Sequence, residues 1–175
     1  MKKHTGSFVV GIDPGLRATG FAVLESKNGS LEGLKLVESG EITSTARQLL
    51  GVRLEKIYLE LEAVLKRWMP RAMFLEKLYS EALFPTTAIT LGHVRGVICL
   101  AAQRCGVEIL EIPSTEAKKA LTGYGRASKE QVGRAICGLL GLNGPPDSEH
   151  IADALALAAV GALRKDEGGR MKAEG

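Results

Sequence analysis

The stretch from Phe8 to Leu24 limits most strongly what this chain can fold into. An apolar run from Phe8 to Ile12 predicts a buried strand, which ends on a single carboxylate, Asp13. Pro14-Gly15 predicts a turn, and Thr19–Leu24 predicts a strand that returns beside the first. A carboxylate at the end of a buried strand is costly to desolvate unless it binds a cation or hydrogen-bond donors. The alternative is a simple Asp-Pro-Gly turn, in which Asp13 hydrogen-bonds its own backbone.

The composition is that of an ordinary globular protein. The chain has 175 residues, 45% of them hydrophobic and 25% charged, so we expect one compact domain over residues 1–163. Residues 164–175 are charged and rich in glycine, which predicts a disordered tail. The longest apolar segment, Ala154–Leu163, is too short to span a bilayer, and no signal peptide precedes the first strand. We therefore expect a cytoplasmic protein, and the net charge of +3 permits a nucleic-acid partner.

The cysteines are a weaker indication of a cytoplasmic location. Cys99, Cys105 and Cys137 lie in apolar helical patterns and show no CxxC spacing. This pattern is typical of reduced, packed thiols in a cytoplasmic protein, and metal binding is the less favoured alternative.

The order of predicted elements indicates an α/β fold. Strands at about 7–13, 19–26 and 34–43 form an antiparallel meander, and short strands at 73–75 and 107–112 follow. Helical patterns cover about 50–68, 85–104, 114–121, 129–140 and 149–163, and Thr45–Gln48 has the sequence of a capping box. We therefore expect a five-stranded mixed sheet, with three antiparallel strands followed by two parallel ones, flanked by helices on both faces.

Three acids and one histidine could meet at one edge of this sheet. Glu76 ends the fourth strand as Asp13 ends the first, and Asp153 lies on a final helix that is otherwise almost entirely apolar. His150 and Glu149 precede Asp153 by three and four residues, and spacing alone cannot decide which of them faces it. Such a set predicts a site for two hard divalent cations, Mg²⁺ or Mn²⁺, able to hydrolyse phosphodiesters. The alternatives are a solvated Glu76, an Asp153 placed by the helix dipole, and a structural His150.

A second group of residues has the character of a nucleic-acid surface. Cations gather around the flexible segment Gly123–Gly125, at Lys118, Lys119, Arg126, Lys129 and Arg134. Tyr79 follows Glu76 in a segment that could carry its ring to an unpaired base. A solvated surface of helix ends explains the cations about equally well.

Four motifs in register resemble the RuvC-type Holliday-junction resolvases. They are, in order along the chain, Gly11–Gly15 with Thr19-Gly20, Leu75-Glu76 with Tyr79, Leu91–Gly96 and Ala152–Ala156. The resemblance runs from Val9 to Leu163 and implies a ribonuclease-H-like fold. It also implies a homodimer that resolves four-way DNA junctions by paired symmetrical nicks, in recombination and repair, with two Mg²⁺ or Mn²⁺ ions per active site. The branch-migration proteins RuvA and RuvB are the further partners it implies.

The resemblance also assigns roles to individual residues. The family's catalytic and metal-binding acids correspond to Asp13, Glu76 and Asp153, and His150 stands where many members have aspartate. Lys118 and Lys129 match DNA-contacting lysines, Lys119 and Arg126 are candidates beside them, and Tyr79 matches an aromatic residue that wedges at the crossover.

Two other functions compete with a nuclease. An actin-like ATP-binding fold also begins with a GxDxG-type turn, but it needs a duplicated domain and a second phosphate loop. A junction-binding protein without cleavage activity would have no use for three desolvated acids.

Overall fold

A computed structural model describes residues 7–27, 33–77 and 85–163. The strands are β1 (Ser7–Asp13), β2 (Ala18–Ser26), β3 (Lys35–Thr43), β4 (Ala72–Glu76) and β5 (Glu108–Ile112). The helices are α1 (Leu50–Trp68), α2 (Pro85–Cys105), α3 (Ser114–Thr122), α4 (Lys129–Leu140) and α5 (Glu149–Leu163). Within these ranges no helix is both long enough and apolar enough to cross a membrane.

The five strands form one mixed sheet in the order β3-β2-β1-β4-β5. β2 pairs antiparallel with both β1 and β3, whereas β1 with β4 and β4 with β5 are parallel pairs. The predicted arrangement of three antiparallel strands followed by two parallel ones is therefore confirmed.

The two faces of the sheet carry separate cores because successive side chains of a strand point to opposite faces. Val10, Ile12 and Met73 pack with α1 and α2 on one face. Val9 and Phe74 pack with α3, α4 and α5 on the other. α5 contributes an almost continuous run of buried residues, as its apolar sequence predicts.

α5 lies unusually close to the sheet, because glycines remove the side chains that would separate them. A Cβ built on Gly11 of β1 would lie 2.1 Å from the Ala154 carbonyl oxygen of α5. A Cβ on Gly161 of α5 would lie 2.2 Å from a ring carbon of Phe74 on β4. Any larger residue at either position would force α5 away from the strands.

Two local expectations differ from the structure. Thr45 and Gln48 do not cap α1: their mutual hydrogen bonds close a separate turn, and the helix starts at Leu50 without a side-chain cap. The sequence pattern of a capping box describes local hydrogen bonds, and these also fit an isolated turn. Cys99 is exposed rather than packed, while Cys105 and Cys137 are half-buried, and all three are free thiols. The predicted disordered tail, residues 164–175, lies outside the described residues.

The close contact of α5 with β1 predicts a strong effect of one added methyl group. Gly11→Ala is expected to destabilise the fold by roughly 1–3 kcal/mol or more, because the new Cβ meets backbone atoms that cannot rotate away. Gly138→Ala is the matched control, since a Cβ at Gly138 of α4 would meet nothing within 4 Å in the part of the chain that the structure describes. That substitution is expected to stabilise by roughly 0.5–1 kcal/mol through helix propensity. Urea unfolding measures both, and equal free energies of unfolding for the two variants would contradict the packing described here.

Candidate active site

Asp13 and Glu76 end two neighbouring parallel strands. Ile12 of β1 pairs with Leu75 of β4, so each acid lies one residue beyond this pair. Asp13 is two residues after Gly11 and therefore points to the α5 face of the sheet. Glu76 is two residues after Phe74, which packs on the same face. The strand ends thus direct two carboxylates toward the start of α5.

The first turn of α5 brings His150 to Asp13. His150 Nδ1 lies 2.6 Å from Asp13 Oδ2. The approach depends on Gly20 of β2, where a Cβ would lie 2.2 Å from the His150 carbonyl oxygen. If Nδ1 carries the proton and donates to Asp13, the other ring nitrogen keeps its lone pair for a ligand. Because 44% of the His150 side chain stays exposed, a ligand can reach the ring.

The carboxylates are close enough to disturb one another. Burial raises the pKa of Asp13 above its ordinary value; the hydrogen bond from His150 opposes this shift, and the negative charge of Asp153 adds to it. Burial also raises the pKa of Glu76, and the charges of Asp13 and Asp153 raise it further. Asp13 and Glu76 therefore ionise against the negative charge of neighbouring acids, and a bound cation would offset this repulsion.

Lys129, the first residue of α4, places its ammonium group beside the third acid. Its Nζ lies 2.8 Å from Glu149 and 3.7 Å from Asp153. The hydrogen bond to Glu149 raises the pKa of Lys129, and the same bond lowers that of Glu149. The structure therefore turns Glu149 toward Lys129 and His150 toward Asp13, a distinction that spacing along the helix could not make.

The structure gives the other predicted DNA-facing residues that it describes fewer contacts with the acids than it gives Lys129. Lys118 on α3 is near enough to Glu76 for its charge to lower the pKa of that acid, in opposition to the larger effect of burial. Lys119 and Arg126 are exposed, on α3 and in the loop before α4. Tyr79 lies outside the described residues.

The donor set suits hard cations, but the side chains are not yet arranged around one. Within residues 7–27, 33–77 and 85–163, no three His, Cys, Asp or Glu side chains form a group that could hold a metal ion. Two pairings account for this: Asp13 faces His150, and Asp153 faces the ammonium of Lys129. Three carboxylates and an imidazole still match the ligands that Mg²⁺ and Mn²⁺ take in proteins. Asp13, Glu76, Asp153 and His150 are the residues that would hold such a cation.

Sequence reasoning missed a residue that supports this site. Arg95 of α2 donates from Nη1 to the main-chain carbonyl oxygen of Glu76 at 2.9 Å, and its other arm pairs with Glu111 of β5. The side chain of Arg95 is only 13% exposed, so the guanidinium fixes the end of β4 from within the structure. The signal available in the sequence was a single arginine between the buried positions Val94 and Ile98 of an apolar helix.

Comparison with known proteins agrees with this geometry. The family model described as "Crossover junction endodeoxyribonuclease RuvC" matches residues 9–161. The curated RuvC protein of Rhodopirellula baltica is 41% identical over 159 residues, which cover 90% of this chain and 86% of that protein. The RuvC protein of Caldicellulosiruptor saccharolyticus is 38% identical over 150 residues, covering 86% and 89%.

A solved structure matches over the same extent. Thermus thermophilus RuvC, determined in complex with a Holliday junction substrate, superposes with a TM-score of 0.83 at 31% identity. The alignment covers 90% of this chain and 93% of that one. The fold is thus the ribonuclease-H-like fold of RuvC, and the chain belongs to the RuvC family of crossover junction endodeoxyribonucleases.

Proposed function

We propose that this nuclease resolves four-way DNA junctions at the site formed by Asp13, Glu76, His150 and Asp153. The observation that carries the proposal is the electrostatic contact among the three acids, each delivered by a different buried element. A purely structural role would not need two partly buried carboxylates, Asp13 and Glu76, whose pKa values are raised by burial and by the charges of neighbouring acids. The Thermus thermophilus relative, whose structure contains a Holliday junction, supports this class of substrate.

The same residues would hold the divalent cations of the reaction. Asp13, Glu76 and Asp153 supply carboxylate oxygens, and His150 supplies an imidazole nitrogen, in a set suited to two ions. When bound, such ions polarise the phosphodiester and promote attack by water. Asp13 also orients the His150 ring through the Nδ1 contact.

Two lysines would bring the DNA backbone to these acids. Lys118 lies close enough to Glu76, and Lys129 close enough to Asp13 and Asp153, for their positive charges to interact with these carboxylates. If the cations release Lys129 from Asp153, its ammonium group becomes available for a phosphate next to the scissile bond. Lys119 and Arg126, which are exposed, would extend the same surface along the strand.

We further propose that α2 forms the seam of a homodimer. Ile89 and Leu100 are 63% and 53% exposed although both are large and apolar. Gly92 and Gly96 lie between them at helical spacing, and a Cβ on either glycine would meet no atom of the described residues within 4 Å. An apolar face with a shallow groove of glycines suits the close approach of an identical helix across a two-fold axis.

Three expectations from the sequence stay predictions. They are the wedge role of Tyr79, the contacts with the branch-migration proteins RuvA and RuvB, and a cytoplasmic location.

The acids should be needed for cleavage and not for DNA binding. Asp13→Asn, Glu76→Gln and Asp153→Asn are each expected to abolish nicking of a labelled four-way junction in Mg²⁺ or Mn²⁺. Each should still shift the junction in a gel, because the lysines and the dimer hold the DNA. A variant that nicks at a near-normal rate would remove its residue from the site.

His150 should affect the choice of metal. Imidazole nitrogen is a better ligand for Mn²⁺ than for Mg²⁺, so we expect faster junction cleavage in Mn²⁺. His150→Asp should still cleave the junction, with a smaller difference between its rates in Mn²⁺ and Mg²⁺. His150→Ala should cleave it far more slowly than wild type. Glu149→Gln is the control, because Glu149 contacts Lys129 rather than Asp13. If Glu149→Gln lost cleavage while His150→Ala stayed active, Glu149 rather than His150 would be the metal ligand.

The proposed dimer seam can be tested with a matched pair of substitutions. Leu100→Glu on α2 is expected to produce a monomer, since a charged side chain within an apolar seam loses its hydration. Leu59→Glu on α1 is the control, because Leu59 is exposed to nearly the same degree, at 54%. Sedimentation velocity measures both, and a Leu100→Glu protein that stays dimeric would place the seam elsewhere.

A further inference from the structure

Three residues of neighbouring strands lie in one row across the sheet beneath the start of α5. Asp13 of β1 pairs with Gly20 of β2, and Gly20 pairs with Glu41 of β3. Side chains of residues that pair directly across strands point to the same face. Asp13 and Glu41 therefore project on either side of Gly20, and the main chain of α5 at His150 fills the space over the glycine.

Glu41 contacts α5 through Ser148. The Ser148 hydroxyl donates to the Glu41 carboxylate and accepts a hydrogen bond from the Ile151 main-chain N–H at 3.1 Å. The Ser148 carbonyl oxygen also accepts from the Ala152 N–H at 3.1 Å. Ser148 is thus the N-terminal cap of α5, and Glu41 fixes the orientation of the capping hydroxyl.

Asp13 holds the same turn from the other side. Its carboxylate binds the His150 ring, two residues after Ser148. The start of α5 is therefore held by two carboxylates from one row of the sheet, Asp13 through His150 and Glu41 through Ser148.

We propose that Glu41 is a positioning residue for the metal site, acting through Ser148 on His150 and Asp153. The proposal rests on the proposed function, because it concerns the geometry of the same ligands. Glu41 itself touches neither the DNA nor the cations. By orienting the cap it fixes the rotation and height of the first turn of α5, which carries His150, and so the direction in which Asp153 leaves the second turn.

A neighbouring glutamate provides a matched control. Glu38 lies on the same strand but binds Arg67 and Trp68 of α1, on the opposite face of the sheet. Substitution of either glutamate removes hydrogen bonds between β3 and a helix. Only the Glu41 contact leads to the metal site.

Two measurements on the intact protein, without DNA, test the proposal. Hydrogen exchange in the metal-free protein should show faster exchange in the peptide covering Ile151 and Ala152 for Glu41→Ala, but not for Glu38→Ala. Titration calorimetry with Mn²⁺ should show binding weakened by roughly 10-fold in Glu41→Ala, the lower end of what loss of a supporting residue costs. Glu41→Gln should recover much of both properties, since its amide oxygen still accepts from Ser148. Ser148→Ala should lose at least as much as Glu41→Ala, because it also removes the cap on Ile151, and the double variant should be no worse than Ser148→Ala.

The outcomes separate this proposal from the function on which it rests. Unchanged exchange and unchanged Mn²⁺ affinity in Glu41→Ala would overturn the positioning role. Equal losses in Glu38→Ala would also overturn it, because they would show a general loss of stability. If the wild-type protein binds no Mn²⁺, the proposed metal site fails, and hydrogen exchange alone still decides whether Glu41 holds the start of α5.

Discussion

The close contact of α5 with strands β1 and β2 is the constraint on which the site depends. Gly11 and Gly20 allow main-chain atoms of the helix to come where a Cβ would otherwise lie. The apolar residues of α5 then fill one core of the protein. Burial of this helix supplies the free energy that holds its first two turns, with His150 and Asp153, against the ends of β1 and β4. Packing of α5 thus holds Asp153 close to Asp13 and Glu76 although the three carboxylates repel one another.

That arrangement explains why the acids are costly to the protein without a cation. Asp13 and Glu76 are partly desolvated and lie within reach of the charge on Asp153. In the structure, His150 and Lys129 provide partial compensation, each as a partner of one acid. In the function proposed above, a divalent cation would take over this compensation, and Lys129 would exchange its acidic partners for a DNA phosphate.

The sequence predicted the strands and helices well because their apolar periodicity is strong. The acids at the strand ends were also predictable, since a charged residue that ends a buried strand stands out against its neighbours. Contacts between segments distant in the sequence could not be predicted. Nothing local links Glu41 with Ser148, which are 107 residues apart, or Arg95 with the Glu76 carbonyl. The choice between Glu149 and His150 likewise depends on the rotation of α5, which Gly20 sets from another element.

The dependence of stability on pH, with and without a divalent cation, shows whether the acids of the site repel one another in the absence of a metal ion. Because burial and the neighbouring charges raise the pKa of Glu76 in the folded protein, ionisation of Glu76 costs stability as the pH rises above its ordinary pKa of 4.5. In chelator, Glu76→Gln should therefore unfold at a higher temperature than wild type at pH 7, and this advantage should shrink as the pH falls toward 4.5. Mn²⁺ should stabilise the wild type and have little effect on Glu76→Gln. A Glu76→Gln protein that is less stable than wild type in chelator at pH 7, with no effect of Mn²⁺ on either, would contradict a repulsive carboxylate cluster built to bind cations.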